Sequence, residues 1–248
     1  MKVILIVLAA VAVIVIVLGM IAKQKSEKYY KYSNPVGEME KQYTPMGSCK
    51  VAKLEIASED PQIGRFVIYY PEGNEDSEEK YPVILWANGT GFKSETYTPF
   101  LKHLSSWGFI VVSNNDENTR TFKDGWKYDI SKVHVPTLLT AGTGSFDAGT
   151  AESPDQKSDE KAGIMQGICP LWSLQENFNL LPDDIDKAYF RKKNVDHGDS
   201  YLQFDAYMTA WFRWQLQGDE EAAKVFTGES PEIMTNDLYQ DQMIHIAK

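Results

Sequence analysis

The stretch YPVILWANGTG, residues 81–91, joins an apolar run to a glycine-rich turn. An apolar run of this length predicts a strand buried on both faces of a parallel sheet. The next segment, TPFLKHLSSWG at residues 98–108, predicts a helix because Thr98 can cap it, Pro99 suits its first turn and Gly108 ends it. FIVVSNND, residues 109–116, predicts a second buried strand. Strand, helix and strand in this order predict a βαβ unit.

Later segments repeat the pattern of apolar runs that end in turns. HVPTLLTAGTG at residues 134–144 predicts a third core strand, and DKAYFRKKNVDHGD at 186–199 predicts a last strand leading into a histidine loop. Apolar and aromatic residues recur at helical spacing in residues 200–218, which predicts a closing helix with an aromatic core stripe. The fold class expected is α/β, with a mostly parallel sheet flanked by helices.

Three of these segments together resemble the α/β-hydrolase superfamily, in the branch of polyester hydrolases, cutinase-like esterases and chlorophyllase-like proteins. They are VILWANGTG, LKHLSSWGFIVVSNND, and the region from VPTLLTAGTGSFDAG to the VDHGDSYLQF segment. The resemblance covers residues 82–226 and implies carboxylester hydrolysis. That chemistry requires a nucleophile, a base, an acid that orients the base, and an oxyanion hole.

The resemblance implies a role for four residues. His197 matches the base and Asp147 the acid, in the chain order of the family. Gly89 and Thr90 match the oxyanion turn, although a plain helix-capping turn explains them equally well. Ser145 fails the nucleophile motif, because Thr143 and Asp147 stand where the G-x-S-x-G elbow requires glycines.

No G-x-S-x-G motif occurs anywhere in the chain. The elbow belongs between the FIVVSNND and VPTLLTAG strands, which are joined by only about 18 residues, 117–134. That interval is too short for the missing strands and helices, so the sheet is expected to be truncated in the middle by an internal deletion across Thr121 and Phe122. Either PVILWA pairs directly with VPTLLTA, or an unpaired edge is left.

The N-terminal stretch of residues 3–22 is apolar and uncharged, long enough for a helix to cross a bilayer. An uncleaved anchor is favoured over a signal peptide, because Met20 and Ala22 fit a small-x-small cleavage site poorly. The expected organisation is a transmembrane anchor at 1–22, a stalk at 23–46 and a hydrolase-like domain at 47–248. The expected location is a single-pass membrane protein whose domain is extracytoplasmic.

The net charge of −10 argues against nucleic acid as a partner. Cys49 and Cys169 are either one disulfide or two buried thiols. No cofactor and no metal are expected, since a site built from Asp196, His197 and Asp199 lacks further ligands. The expected function is that of a membrane-anchored carboxylester-hydrolase relative, inactive because the nucleophile is absent. The alternative is a surface protein that binds an ester or lipid-like small molecule without cleaving it.

Overall fold

The computed structural model divides the chain into two compact units, Met1–Asn34 and Pro35–Lys248. The residues that the structure describes are 11–20, 35–61, 63–73, 80–89, 91–115, 130–150, 167–198 and 205–248.

The predicted membrane anchor is wrong. In the first unit the described residues, 11–20, form a helix with exposed side chains. Across the described part of the chain, no helix combines the length and the apolar character that a membrane span needs, which contradicts the predicted single-pass location.

The predicted βαβ unit is confirmed in the first sheet of the second unit. Strand β3 (Val83–Leu85) is followed by a 3-10 turn (Ser94–Tyr97), by helix α2 (Thr98–Ser106) and by strand β4 (Ile110–Asn114), and β3 lies parallel to β4. Helix α2 has a proline in its first turn and buries its apolar side against the sheet.

Two further strands join this sheet, which among the described residues has the order β1-β2-β4-β3. Strands β1 (Val51–Ala57) and β2 (Arg65–Pro71) form an antiparallel pair, and β2 is antiparallel to β4. Val67 and Tyr69 alternate with less buried neighbours along β2, so that they face α2.

The second sheet has the order β5-β6-β7. Strand β5 (Thr137–Gly142) is parallel to β6 (Lys187–Lys192), whereas β7 (Tyr239–His245) is antiparallel to β6. The prediction that β6 is the last strand is therefore wrong. The other elements are α1 (Glu38–Tyr43), a 3-10 turn (Ile130–Lys132), α3 (Ser145–Ala148), α4 (Leu171–Leu180), α5 (Asp205–Gln217), α6 (Glu220–Ala223) and α7 (Glu232–Thr235).

The prediction of one mostly parallel α/β-hydrolase sheet is also wrong. The described residues form two small mixed sheets, in which three of the five strand pairs are antiparallel. Among them β3 pairs only with β4 and β5 only with β6, so β3 does not join β5. The side chains of Val83 and Leu85 in β3 are exposed. The short join at Thr121 and Phe122 lies outside the described residues.

Helix α5 links the cores of the two sheets. The core around Phe190 and the core around Phe100 both pack against Trp107, Met208 and Phe212. Helix α1 belongs to the second unit, and its Glu40 and Tyr43 are buried. The second unit begins at Pro35, and the predicted domain start at Gly47 stays a prediction.

Candidate functional site

The turn that follows β5 places a carboxylate inside the protein. Gly144 precedes α3, and Asp147 in α3 is 2% exposed. The backbone N–H of Gly142 donates a hydrogen bond to Oδ2 of Asp147, which turns the carboxylate back toward the end of β5. The other carboxylate oxygen faces the loop that follows β6.

That loop carries His197. Its Nδ1 lies 3.2 Å from Oδ1 of Asp147, and its side chain is 46% exposed. The ring of Phe146 lies edge-on to the imidazole, with centroids 5.7 Å apart. A buried carboxylate bonded to Nδ1 holds the imidazole in the tautomer that leaves Nε2 for proton transfer. The structure thus brings together the two residues predicted to be acid and base.

Ser145 does not have the geometry of a nucleophile. It is exposed and is the first residue of α3. A nucleophile elbow is a sharp, strained turn. Among the described non-glycine residues a positive φ occurs only at Asn194 and Asp241, so Ser145 is not strained in this way. The carboxylate of Asp147, two residues later, is the group that meets His197.

The predicted oxyanion turn follows β3. The Gly89 N–H donates to the hydroxyl of Tyr97 at 2.9 Å, so this amide already has a partner within the protein. Asn88 fixes the turn by donating to the Asn114 carbonyl at 2.6 Å and accepting from Ser113 at 3.1 Å. In the part of the chain that the structure describes, no hydrogen bond joins this turn to His197. The other predicted residue, Thr90, lies outside that part.

Both cysteines are free thiols. The backbone N–H of Cys169 donates to the Asp147 carbonyl at 2.9 Å, a neighbour that sequence reasoning missed. Burial, followed by the negative charge of Asp147, raises the pKa of the Cys169 thiol to about 12. The thiolate is the reactive form of cysteine, so the raised pKa disfavours Cys169 as a substitute nucleophile.

Of the other three histidines, two contact backbone carbonyls and one is exposed. His103 is buried between the Pro45 carbonyl and Thr209, and burial lowers its pKa. His245 lies in β7, 2.8 Å from the Asp183 carbonyl. His134 is exposed before β5.

Metal ligands do not converge within the described residues, where no cluster of three histidine, cysteine, aspartate or glutamate side chains is found. Asp199, which would complete a set with Asp196 and His197, is not among them. Asp196 instead accepts hydrogen bonds from backbone amides.

Residues 42–123 match the family model described as Chlorophyllase, a family of the α/β-hydrolase superfamily. The matched region covers about a third of the chain and contains all four strands of the first sheet and α2. No curated protein matches the chain. The match ends before β5, so Asp147 and His197 lie in the part of the chain beyond the matched region.

Proposed function

We propose that this chain is a chlorophyllase-like hydrolase relative that keeps the acid and base of an ester-hydrolysing site but lacks the serine nucleophile. The observation that carries the proposal is the 3.2 Å contact between Asp147 and a half-exposed His197. Chlorophyllase similarity over residues 42–123 supports a hydrolase-like ancestry. The absence of a G-x-S-x-G motif from the sequence supports the loss of the covalent step.

The chemistry of such a site is limited. In a complete triad the histidine takes the proton of the serine hydroxyl, and a covalent acyl-enzyme forms. Without that hydroxyl, His197 can remove a proton only from water, or donate and accept hydrogen bonds to a bound molecule. Loss of the nucleophile costs roughly a millionfold in turnover in an enzyme of this chemistry. We therefore assign binding of an ester or similar small molecule, with slow water-mediated hydrolysis at most.

The surroundings of His197 suit such a ligand. The imidazole offers a polar contact, and the ring of Phe146, which is 39% exposed, offers an apolar contact beside it. An ester combines a carbonyl oxygen with an apolar chain, so the two side chains match its two parts.

A fluorophosphonate probe and short p-nitrophenyl esters test the proposal. We expect no serine labelling, no burst of nitrophenol, and slow turnover that falls in His197→Ala. The matched control is His134→Ala, which removes another exposed histidine outside the Asp147 pair. Stoichiometric serine labelling, or a burst followed by rapid turnover, would show that a nucleophile is present and overturn the proposal.

Binding is measured separately from turnover. The non-hydrolysable amide analogue of the ester is added to the full chain, and the imidazole resonances of His197 are followed by NMR. We expect these resonances to shift on titration while those of His134 stay in place. If neither histidine responds, the assignment of an ester-binding role to this site is wrong.

A further inference from the structure

Asp196 immediately precedes His197 and connects the two loops that carry the acid and the base. Its Oδ1 accepts hydrogen bonds from the backbone N–H of Asp147 at 2.8 Å and of His197 at 2.8 Å. Its Oδ2 accepts from the Phe146 N–H at 3.3 Å. One carboxylate therefore binds the first turn of α3 and the histidine backbone at the same time.

The backbone leaves room for this carboxylate only because residue 144 is glycine. A Cβ atom at Gly144 would lie 2.4 Å from Cγ of Asp196. Gly144 has a φ of −62° and a ψ of 158°, which any residue can adopt, so the glycine is required by space and not by backbone conformation. The Asp196 side chain therefore packs directly against the backbone at residue 144.

Other bonds bring the same loops together. The Gly144 N–H donates to the Val195 carbonyl at 2.8 Å, and the Asn194 N–H donates to the Thr143 hydroxyl at 2.9 Å. The first bond joins the two loop backbones and the second joins a backbone amide to a side chain, but neither reaches Asp147 or His197. Asp196 alone among these groups bonds both Asp147 and His197.

The charge state of Asp196 suits this role. Burial by itself raises the pKa of the carboxyl, but the hydrogen bonds from the His197, Asp147 and Phe146 amides outweigh it and hold the pKa below its ordinary value. An ionised carboxylate accepts hydrogen bonds more strongly than a neutral group does.

We infer that Asp196 is a positioning residue: by holding the amides of Asp147 and His197 on one carboxylate, it sets the contact between Asp147 Oδ1 and His197 Nδ1. This inference rests on the proposed role of that pair in an ester site. It assigns to Asp196 a backbone-clamping function in place of the metal-ligand role that its position beside His197 suggests.

The test compares Asp196→Ala with Asp196→Asn by NMR, and it needs no turnover. Alanine removes all three acceptor contacts. Asparagine keeps one carbonyl oxygen for the Asp147 and His197 amides but loses the charge. We expect hydrogen exchange at the Asp147 amide to rise about tenfold in Asp196→Ala, as for one lost hydrogen bond, and to stay near wild type in Asp196→Asn. The Nδ1 proton signal of His197 should be lost in the alanine variant and kept in the asparagine variant.

Two results overturn the inference. Wild-type exchange and an unchanged Nδ1 signal in Asp196→Ala would show that the clamp is not needed. If both variants raise the Asp147 exchange rate and lose the Nδ1 signal to the same extent, the charge of Asp196, and not the position of its acceptor oxygen, is what matters. Glu221→Gln, which neutralises an exposed carboxylate paired with Lys224, is the control and should leave both signals unchanged.

The ester assays then separate this inference from the proposed function. If His197→Ala leaves ester turnover and binding unchanged, the proposed function fails, whereas the exchange and Nδ1 data still decide whether Asp196 positions the pair. If His197→Ala abolishes the activity and both Asp196 variants behave as wild type, the function stands and the positioning role fails.

Discussion

Substitution of Lys192 by methionine should destabilise the fold by about 3 kcal/mol, because it leaves a buried carboxylate without its counter-charge. The Nζ of Lys192 lies 3.3 Å from Oε1 of Glu40, and the two side chains are 8% and 2% exposed. At that distance the Coulomb attraction is about 5 kcal/mol for an effective dielectric constant of about 20. The bonds that Glu40 accepts from Asn236 at 2.9 Å and Tyr239 at 3.0 Å remain, which moderates the loss.

The assay is urea unfolding of the wild type and Lys192→Met at pH 8 and pH 5. The control is Lys224→Met, which breaks an ion pair whose partners are 61% and 57% exposed and should cost less than about 1 kcal/mol. Adding Glu40→Gln to Lys192→Met should recover part of the loss, because the uncompensated charge is removed. Equal unfolding free energies for the two lysine variants would refute the reasoning.

The expected pH dependence follows from the shift of the Glu40 pKa. Burial raises it, but Lys192 and the hydrogen bonds from Asn236, the Val36 amide and Tyr239 lower it below the ordinary value of 4.5. A carboxyl whose pKa is lower in the folded than in the unfolded protein stabilises the fold at pH values above its unfolded-state pKa. That stabilisation is lost as the pH falls through its folded-state pKa. In Lys192→Met the pKa of Glu40 should rise, so the deficit should be smaller at pH 5 than at pH 8.

Three further predictions concern single positions. Burial raises the pKa of Asp205 from 3.8 to about 7, so the wild type loses stability as the pH rises between these values. In urea unfolding, Asp205→Asn should have the same unfolding free energy as the wild type near pH 4. At pH 8 its unfolding free energy should be higher than that of the wild type by up to about 4 kcal/mol. Gly144→Ala should reproduce the loss of the His197 Nδ1 signal seen on removal of the Asp196 carboxylate, whereas Gly73→Ala, where a Cβ meets nothing within 4 Å, should not. Glu232→Ala removes the acceptor of the Met39 and Glu40 amides, and faster hydrogen exchange at both amides should show that α1 is loosened.

The sequence predicted the local elements well where a periodic pattern bounded by turn residues was present. Strands β3 and β4 and the helix between them follow from the apolar run, Pro99 and Gly108. The contact between Asp147 and His197 was expected from a family resemblance rather than from spacing. Its geometry depends on Asp196, which the sequence pattern offered only as a possible metal ligand.

By itself, then, the sequence determined where strands and helices form, because hydrophobic periodicity and turn residues act over neighbouring positions. It also determined that no serine elbow is present. Only the tertiary structure decided that the strands of the described residues divide into two mixed sheets, that α1 packs into the core, and that Glu40 pairs with Lys192, far along the chain. Pairing between distant segments depends on which edges and buried charges meet in space, and adjacent residues do not encode that choice.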